Sequence, residues 1–159
     1  MDVYRIVKAP YHQAPHDPLS AIGSTKNGGG RWNPPQTGVL YTATSPALAL
    51  LETMVHFPRV GYSELPELHQ MTIHLADHPE AIFWIDPLQL PSYWRTGTLS
   101  ETQSIFADWM KNPFSLALAV PSVIMDDSYN IILHPGHPLH ETIQIRSIKK
   151  LGFDARLWP

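Results

Sequence analysis

The apolar positions of this chain change period several times, and each change marks an element. The run Val3-Tyr4-Arg5-Ile6-Val7 alternates and predicts a first strand, with Arg5 on the face of Val3 and Val7. That places Arg5 inward unless the strand lies at an edge, and an arginine pointing to water from an edge strand is the default. Residues 8–27 carry Pro10, Pro15 and Pro18 without a period, which predicts a long ordered loop with one helical turn near 19–22. Val39-Leu40-Tyr41-Thr42-Ala43 is rich in β-branched and aromatic residues and reads as a strand. Ser45 and Pro46 then look like an N-cap and first helical residue. The run Ala47-Leu48-Ala49-Leu50-Leu51 is apolar all round, predicting a buried helix that ends near His56, because Pro58 cannot continue it.

Further along, Met71, Ile73 and Leu75 alternate as a strand, and residues 81–85 form another that Asp86-Pro87 breaks. Ser100-Glu101-Thr102-Gln103 fits a capping box opening a helix whose stripe, Ile105, Phe106, Trp109 and Met110, reads as core. Leu116-Ala117-Leu118-Ala119-Val120 is a near-continuous apolar run suited to a central strand. Strands follow at 130–133 and around Ile143 and Ile145, and residues 152–157 are expected to close the sheet. Many short strands with few helices imply an α+β domain.

Three polar residues stand out against this pattern. Arg31 follows Gly28, Gly29 and Gly30, which let a backbone take φ > 0 and a ligand approach, and its guanidinium is a permanently charged fork suited to phosphate or carboxylate. Tyr41 lies on the short strand. Glu52 falls within the apolar helix, on the face of Leu48 and Val55, where desolvation is costly unless a partner or ligand compensates. Each also has a bland explanation: a solvated loop, strand packing, a paired structural carboxylate. His56, one turn after Glu52, suits a helix C-terminus through the dipole.

Composition narrows the chemistry. With 159 residues, 43% of them apolar, the chain can bury a core of its own, and residues 1–159 are expected to form a single domain. Eleven basic against 14 acidic residues give a formal charge of −3, which lacks the basic footprint of a protein that binds nucleic acid directly. With no cysteine, thiolate chemistry and Cys-ligated zinc are excluded. No apolar run approaches the roughly 20 residues that cross a bilayer, and the cytoplasm is the simplest location. Oligomeric state, including a homodimer, stays open.

Ser122 sits where the strongest apolar strand meets a loop, without the G-x-S-x-G surroundings of a nucleophile, so substrate hydrogen bonding suits it better than covalent attack. The cluster His134-Pro135-Gly136-His137-Pro138-Leu139-His140 is the one metal-like stretch. Its prolines prevent the helix that would align the three imidazoles, and no metal site is expected.

The ordered set Arg5, Gly29-Gly30-Arg31-Trp32-Asn33, Tyr41, Ala49-Leu50-Leu51-Glu52, Val120-Pro121-Ser122, Asn130, His134-Pro135-Gly136-His137-Pro138 and Phe153-Asp154-Ala155-Arg156-Leu157 resembles the RES domain, named for its Arg, Glu and Ser. The likeness runs from Val3 to Leu157, and its specificity lies in the order and spacing of several short motifs. One departure is His134, where the family often has Asn.

The resemblance implies an ADP-ribosyltransferase-like split antiparallel β core with peripheral helices. It implies an activity that destroys NAD+ as substrate, without a further cofactor, in a bacterial toxin neutralised by an Xre-like helix-turn-helix antitoxin. By the same resemblance Arg31, Tyr41 and Glu52 are the catalytic set, with Arg5, Ser122 and Asn130 as substrate-binding residues. The acceptor is left open among water, phosphate and a protein side chain, so NAD+ hydrolysis or phosphorolysis stands beside protein ADP-ribosylation. A silent nucleotide- or partner-binding module is the remaining alternative.

Overall fold

The computed structural model describes residues 1–25, 29–57, 62–152 and 154–157. Gly28 of the glycine run, the helix-stopping Pro58 and Phe153 of the C-terminal motif lie outside the described residues.

Seven strands form one sheet: β1 (Asp2–Lys8), β2 (Leu40–Ala43), β3 (Leu68–His74), β4 (Ile82–Trp84), β5 (Ala117–Pro121), β6 (Tyr129–Leu133) and β7 (Gln144–Leu151). Their order across the sheet is β4-β5-β6-β2-β1-β3-β7. The helices are short and peripheral: α1 (Ile22–Thr25), α2 (Pro46–Met54), α3 (Leu99–Ile105) and α4 (Ala107–Lys111). The architecture is therefore α+β.

Every neighbouring pair is antiparallel except β4 and β5. A parallel pair needs a long crossover, and here α3 and α4 provide it. The sheet is also split. β1 and β3 are paired along their whole length, whereas β1 and β2 share the single register pair Tyr4↔Ala43. Where that seam opens, α2 packs on it: Leu48 and Ala49 bury against Ala43, with Tyr4 and Ile6 alongside.

The two faces of the sheet carry separate cores. On one, Val3, Val7, Leu40, Met71, Ile131 and Leu133 pack together. On the other, Leu118, Val120 and Ile132 meet Trp32, Trp94 and Trp109. The apolar stripe predicted at 105–110 belongs to this second core, with Trp109 and Met110 buried.

Several local expectations shift. The helical turn forms at Ile22–Thr25, just after the expected 19–22. α2 starts as predicted, with Ser45 Oγ accepting from Leu48 N at 3.1 Å. It is not buried all round: Leu48 and Ala49 are its buried residues, because the helix lies on the outside of the seam. The capping box begins at Thr98, where Glu101 Oε2 accepts from Thr98 N at 2.8 Å, two residues before the predicted Ser100. Phe106 then divides the predicted helix into two. β5 is buried along its length but lies second from an edge. The C-terminal run does not close the sheet: β7 is the edge strand and Ala155–Leu157 forms a 3-10 turn.

Candidate functional site

Register decides which candidate residues share a face. Residues opposite one another across antiparallel strands point the same way. Tyr4 opposes Ala43, Tyr41 opposes Ile132, and Asn130 opposes both Ala43 and Val120. Tyr41 and Asn130 therefore lie on the face that α2 covers, and Ser122, two residues beyond Val120, comes off the end of β5 beside them.

There the carboxylate of Glu52 is held from two strands. Ser122 Oγ donates to Glu52 Oε1 at 2.9 Å, and Asn130 Nδ2 donates to the same oxygen at 2.5 Å. The second carboxylate oxygen accepts no hydrogen bond among the described residues. Ser122 is itself buried, and its Oγ accepts from Ile124 N at 3.0 Å and Met125 N at 3.2 Å. The hydroxyl is thus fully committed, and what it touches is Glu52. In this arrangement Ser122 and Asn130 aim the glutamate.

Tyr41 is organised by a residue for which the sequence offered no role. Asn33 is fully buried. Its Nδ2 donates to Ser24 O at 3.0 Å and Thr37 O at 2.8 Å, while its Oδ1 accepts from Gly30 N at 3.0 Å and from Tyr41 Oη at 2.8 Å. Tyr41 Oη in turn accepts from Trp32 N at 3.2 Å. The phenol therefore has its proton directed at Asn33, and its hydroxyl is engaged on both sides. Burial pushes its pKa up to about 12; the N–H groups of Trp32 and Asn33 and the nearby Arg31 charge oppose that rise, and Glu52 adds to it. Both charged members of the set are within electrostatic reach of this hydroxyl.

The glycines before Arg31 are there for space. A Cβ on Gly30 would stand 2.5 Å from Tyr41 Oη and 2.6 Å from Asn33 Oδ1. Gly29 has φ +83°, and a Cβ there would meet the carbonyl oxygen of Asn33 at 2.2 Å. The loop is thereby pressed against Asn33 and Tyr41, and Arg31 leaves it in a fixed direction. Its backbone oxygen accepts from Thr102 Oγ1 at 2.6 Å, and Gly30 O accepts from Gln103 Nε2 at 2.8 Å, both from α3. Arg31 Nη1 donates to Trp94 O at 3.2 Å. Helix α3, placed by the crossover, is thus the support of the arginine loop.

Arg5 is not brought to this group. It opposes Met71 on the interior strand β1, on the face of Val3 and Val7. The edge-strand expectation fails, because β1 lies between β2 and β3. Its Nη1 is covered and lacks a hydrogen-bond partner among the described residues. Burial lowers the guanidinium pKa to about 10, against the opposing influence of Asp17. The sheet thus separates Arg5 from Tyr41 and Asn130.

The three histidines of 134–140 do not share a hydrogen-bond partner among the described residues. His134 Nε2 meets Met110 O at 3.1 Å, with its pKa lowered chiefly by burial. His137 Nδ1 accepts from Leu139 N at 3.2 Å, capping a 3-10 turn. His140 Nε2 is buried without a hydrogen-bond partner among the described residues. No group of three or more potential ligands that could hold a metal occurs among the described residues.

A split α+β sheet with an arginine loop, a strand tyrosine and a helix glutamate aimed from two strands defines a recognisable class. The chain belongs to the RES domain family, whose model matches residues 2–154. A protein named "Toxin Res" from Yersinia enterocolitica is 32% identical and aligns over 99% of both chains. Another of that name from Photorhabdus laumondii is 34% identical, over 99% of this chain and 97% of its own. A "Prs ADP-ribosylating toxin" from a Sphingobium species is 32% identical, covering 89% of this chain and 87% of its own. Among solved structures, the Mycobacterium tuberculosis MbcT–MbcA toxin–antitoxin complex contains a chain with the same fold. Its TM-score is 0.68 at 21% identity, covering 99% of this chain and 86% of that one. No helix among the described residues is long and apolar enough to cross a membrane.

Proposed function

We propose that this chain is the toxin of a toxin–antitoxin pair and cleaves the bond between nicotinamide and ribose in NAD+. The observation that carries this reading is the Glu52 carboxylate, half-buried, with one oxygen held by Ser122 and Asn130 and the other free of hydrogen bonds among the described residues. The leaving group is already a cationic pyridinium, so heterolysis needs no acid. The bond pair departs with neutral nicotinamide, and positive charge develops at the ribose as an oxocarbenium ion. A carboxylate aimed in advance stabilises that charge without reorganising, and a partly water-excluded position strengthens the effect. Arg31 binds the pyrophosphate through charge-assisted hydrogen bonds. Tyr41, its hydroxyl engaged, serves as a platform for the nicotinamide–ribose end.

The acceptor then adds to the anomeric carbon, giving ADP-ribose and a proton with water, or the phosphorylated sugar with inorganic phosphate. Transfer to a protein is the second reading, supported by the relative named "Prs ADP-ribosylating toxin". The solved toxin–antitoxin neighbour supports a protein antitoxin as partner; an Xre-like helix-turn-helix protein is the proposed type, and the cytoplasm the proposed place of action. Release of nicotinamide from NAD+ by purified protein, with and without phosphate, tests the cleavage. A mass increase on a target protein without release of soluble ADP-ribose would instead favour the second reading.

A further inference from the structure

Resting on the dinucleotide reading above, we propose that Arg95 is a second phosphate contact of this site, held by Asp126 until the pyrophosphate displaces it. Arg95 belongs to none of the motifs that carry the family likeness, and attention falls on it through Trp94. That one residue holds two guanidinium groups: its carbonyl accepts from Arg31 Nη1 at 3.2 Å, and its ring lies 4.8 Å from the guanidinium carbon of Arg95. A pyrophosphate carries two charged phosphoryl groups, and these two cations match them in number.

The space for such a ligand is present. A cavity of about 370 Å³ is lined by Trp94, Arg95, Ser122, Asp126, Asp127 and Tyr129, among others. It adjoins the glutamate through Ser122, whose hydroxyl donates to Glu52, and the arginine loop through Trp94. In the lining of this cavity Arg95 Nη2 pairs with Asp126 Oδ1 at 2.6 Å. Both side chains are well exposed, 44% and 74%, and a solvent-exposed ion pair gains little net free energy. Exchanging Asp126 for a phosphate therefore costs little, whereas a guanidinium–phosphate contact can form two parallel charge-assisted bonds.

The carboxylates make this an exchange and not a standing anion site. Asp126 and Asp127 outnumber Arg95 in the lining, so the protein groups there are net negative. The pair also neighbours the segment that holds Ser122. Asp126 lies on the loop that Ser122 N closes onto Ser128 O at 2.8 Å and whose Ile124 and Met125 N–H groups bond the Ser122 hydroxyl.

The two partners should act with opposite signs. Arg95→Gln raises the KM for NAD+ about tenfold or more with kcat nearly unchanged, the loss of one charge-assisted contact made equally in ground and transition states. Asp126→Asn removes the competitor and lowers that KM. A purely structural role for the pair would move both variants the same way, and that result overturns the proposal, as does an unchanged KM in both. Measuring KM for inorganic phosphate at saturating NAD+ separates the two sources of phosphate. If Arg95→Gln raises only that value, the cation serves the acceptor and the proposal fails. Calorimetry with inorganic pyrophosphate on wild type and both variants keeps the test independent of turnover. Weaker binding for Arg95→Gln and tighter for Asp126→Asn supports the exchange even if no nicotinamide is released, and equal binding in all three refutes it.

Discussion

Ser122 Oγ donates to Glu52 Oε1 at 2.9 Å although 70 residues separate them in the chain, and through this contact the end of β5 aims a carboxylate carried by α2. Asn130 adds a second donor to the same oxygen from β6. Because both act through Glu52, their effects should be coupled. Ser122→Ala is expected to lower kcat for NAD+ cleavage by about tenfold with KM little changed, as a positioning residue does. In the Glu52→Gln background the same change should cost almost nothing further, because the aimed carboxylate is already gone. Steady-state kinetics on the two single variants and the double variant measures that coupling, and additive losses would contradict it.

Tyr41 leads to a prediction about pH. Its folded pKa, pushed up to about 12 from an ordinary 10.0, favours the neutral phenol. The sign follows from linkage: an acid whose pKa is raised on folding contributes stability that is fully present below its unfolded value. That contribution is lost as pH climbs from about 10 through about 12. Wild-type melting temperature should therefore fall more steeply over that window than that of Tyr41→Phe. The kcat profile should show no limb from Tyr41 below about pH 10. Tyrosinate absorbance and thermal melts across the same buffers check both.

Asn33 connects the arginine loop, Tyr41 and the segment around Ser24. Asn33→Ala strips partners from the Tyr41 hydroxyl, a backbone N–H and the carbonyls of Ser24, Pro34 and Thr37, and is expected to destabilise the protein by about 3 kcal/mol. For a chain of this size that corresponds to a fall in Tm of roughly 6–12 °C. Gly30→Ala tests the same junction sterically, since its Cβ would enter the space of Tyr41 Oη and Asn33 Oδ1. It should lower activity more than stability, because the loop can move outward only by carrying Arg31 with it. Thermal denaturation alongside nicotinamide release separates the two effects.

The strands are legible because period, β-branched content and Pro or Gly punctuation are local signals, and β1, β2, β3, β4, β5 and β6 fall where those signals lie. Their neighbours were not legible. Nothing local indicates that β4 pairs parallel to β5, or that Arg5 sits on an interior strand with its side chain on the face away from Tyr41. The all-round apolar sequence of α2 predicted burial that topology does not provide, because the helix covers a seam from outside. At the site, residue types were readable from motif order, and relationships were not. That Ser122 and Asn130 share one oxygen of Glu52 depends on contacts 70 and 78 residues apart. Thr102, Gln103 and Trp94 support Gly30 and Arg31 only because the crossover brings them there. Asn33 lies within the motif Gly29-Gly30-Arg31-Trp32-Asn33, and its central place follows from burial with all of its amide capacity used.

The claim that Glu52 stabilises positive charge at the ribose is tested most directly by nicotinamide release from NAD+, comparing wild type with Glu52→Gln. The substitution keeps the shape of the side chain and removes its charge. Cleavage by wild type with a drop in kcat of about 10²–10³ for the variant, KM for NAD+ being largely retained, is the predicted result. Wild-type protein that releases no nicotinamide at any phosphate concentration, or a Glu52→Gln variant with undiminished kcat, would contradict it.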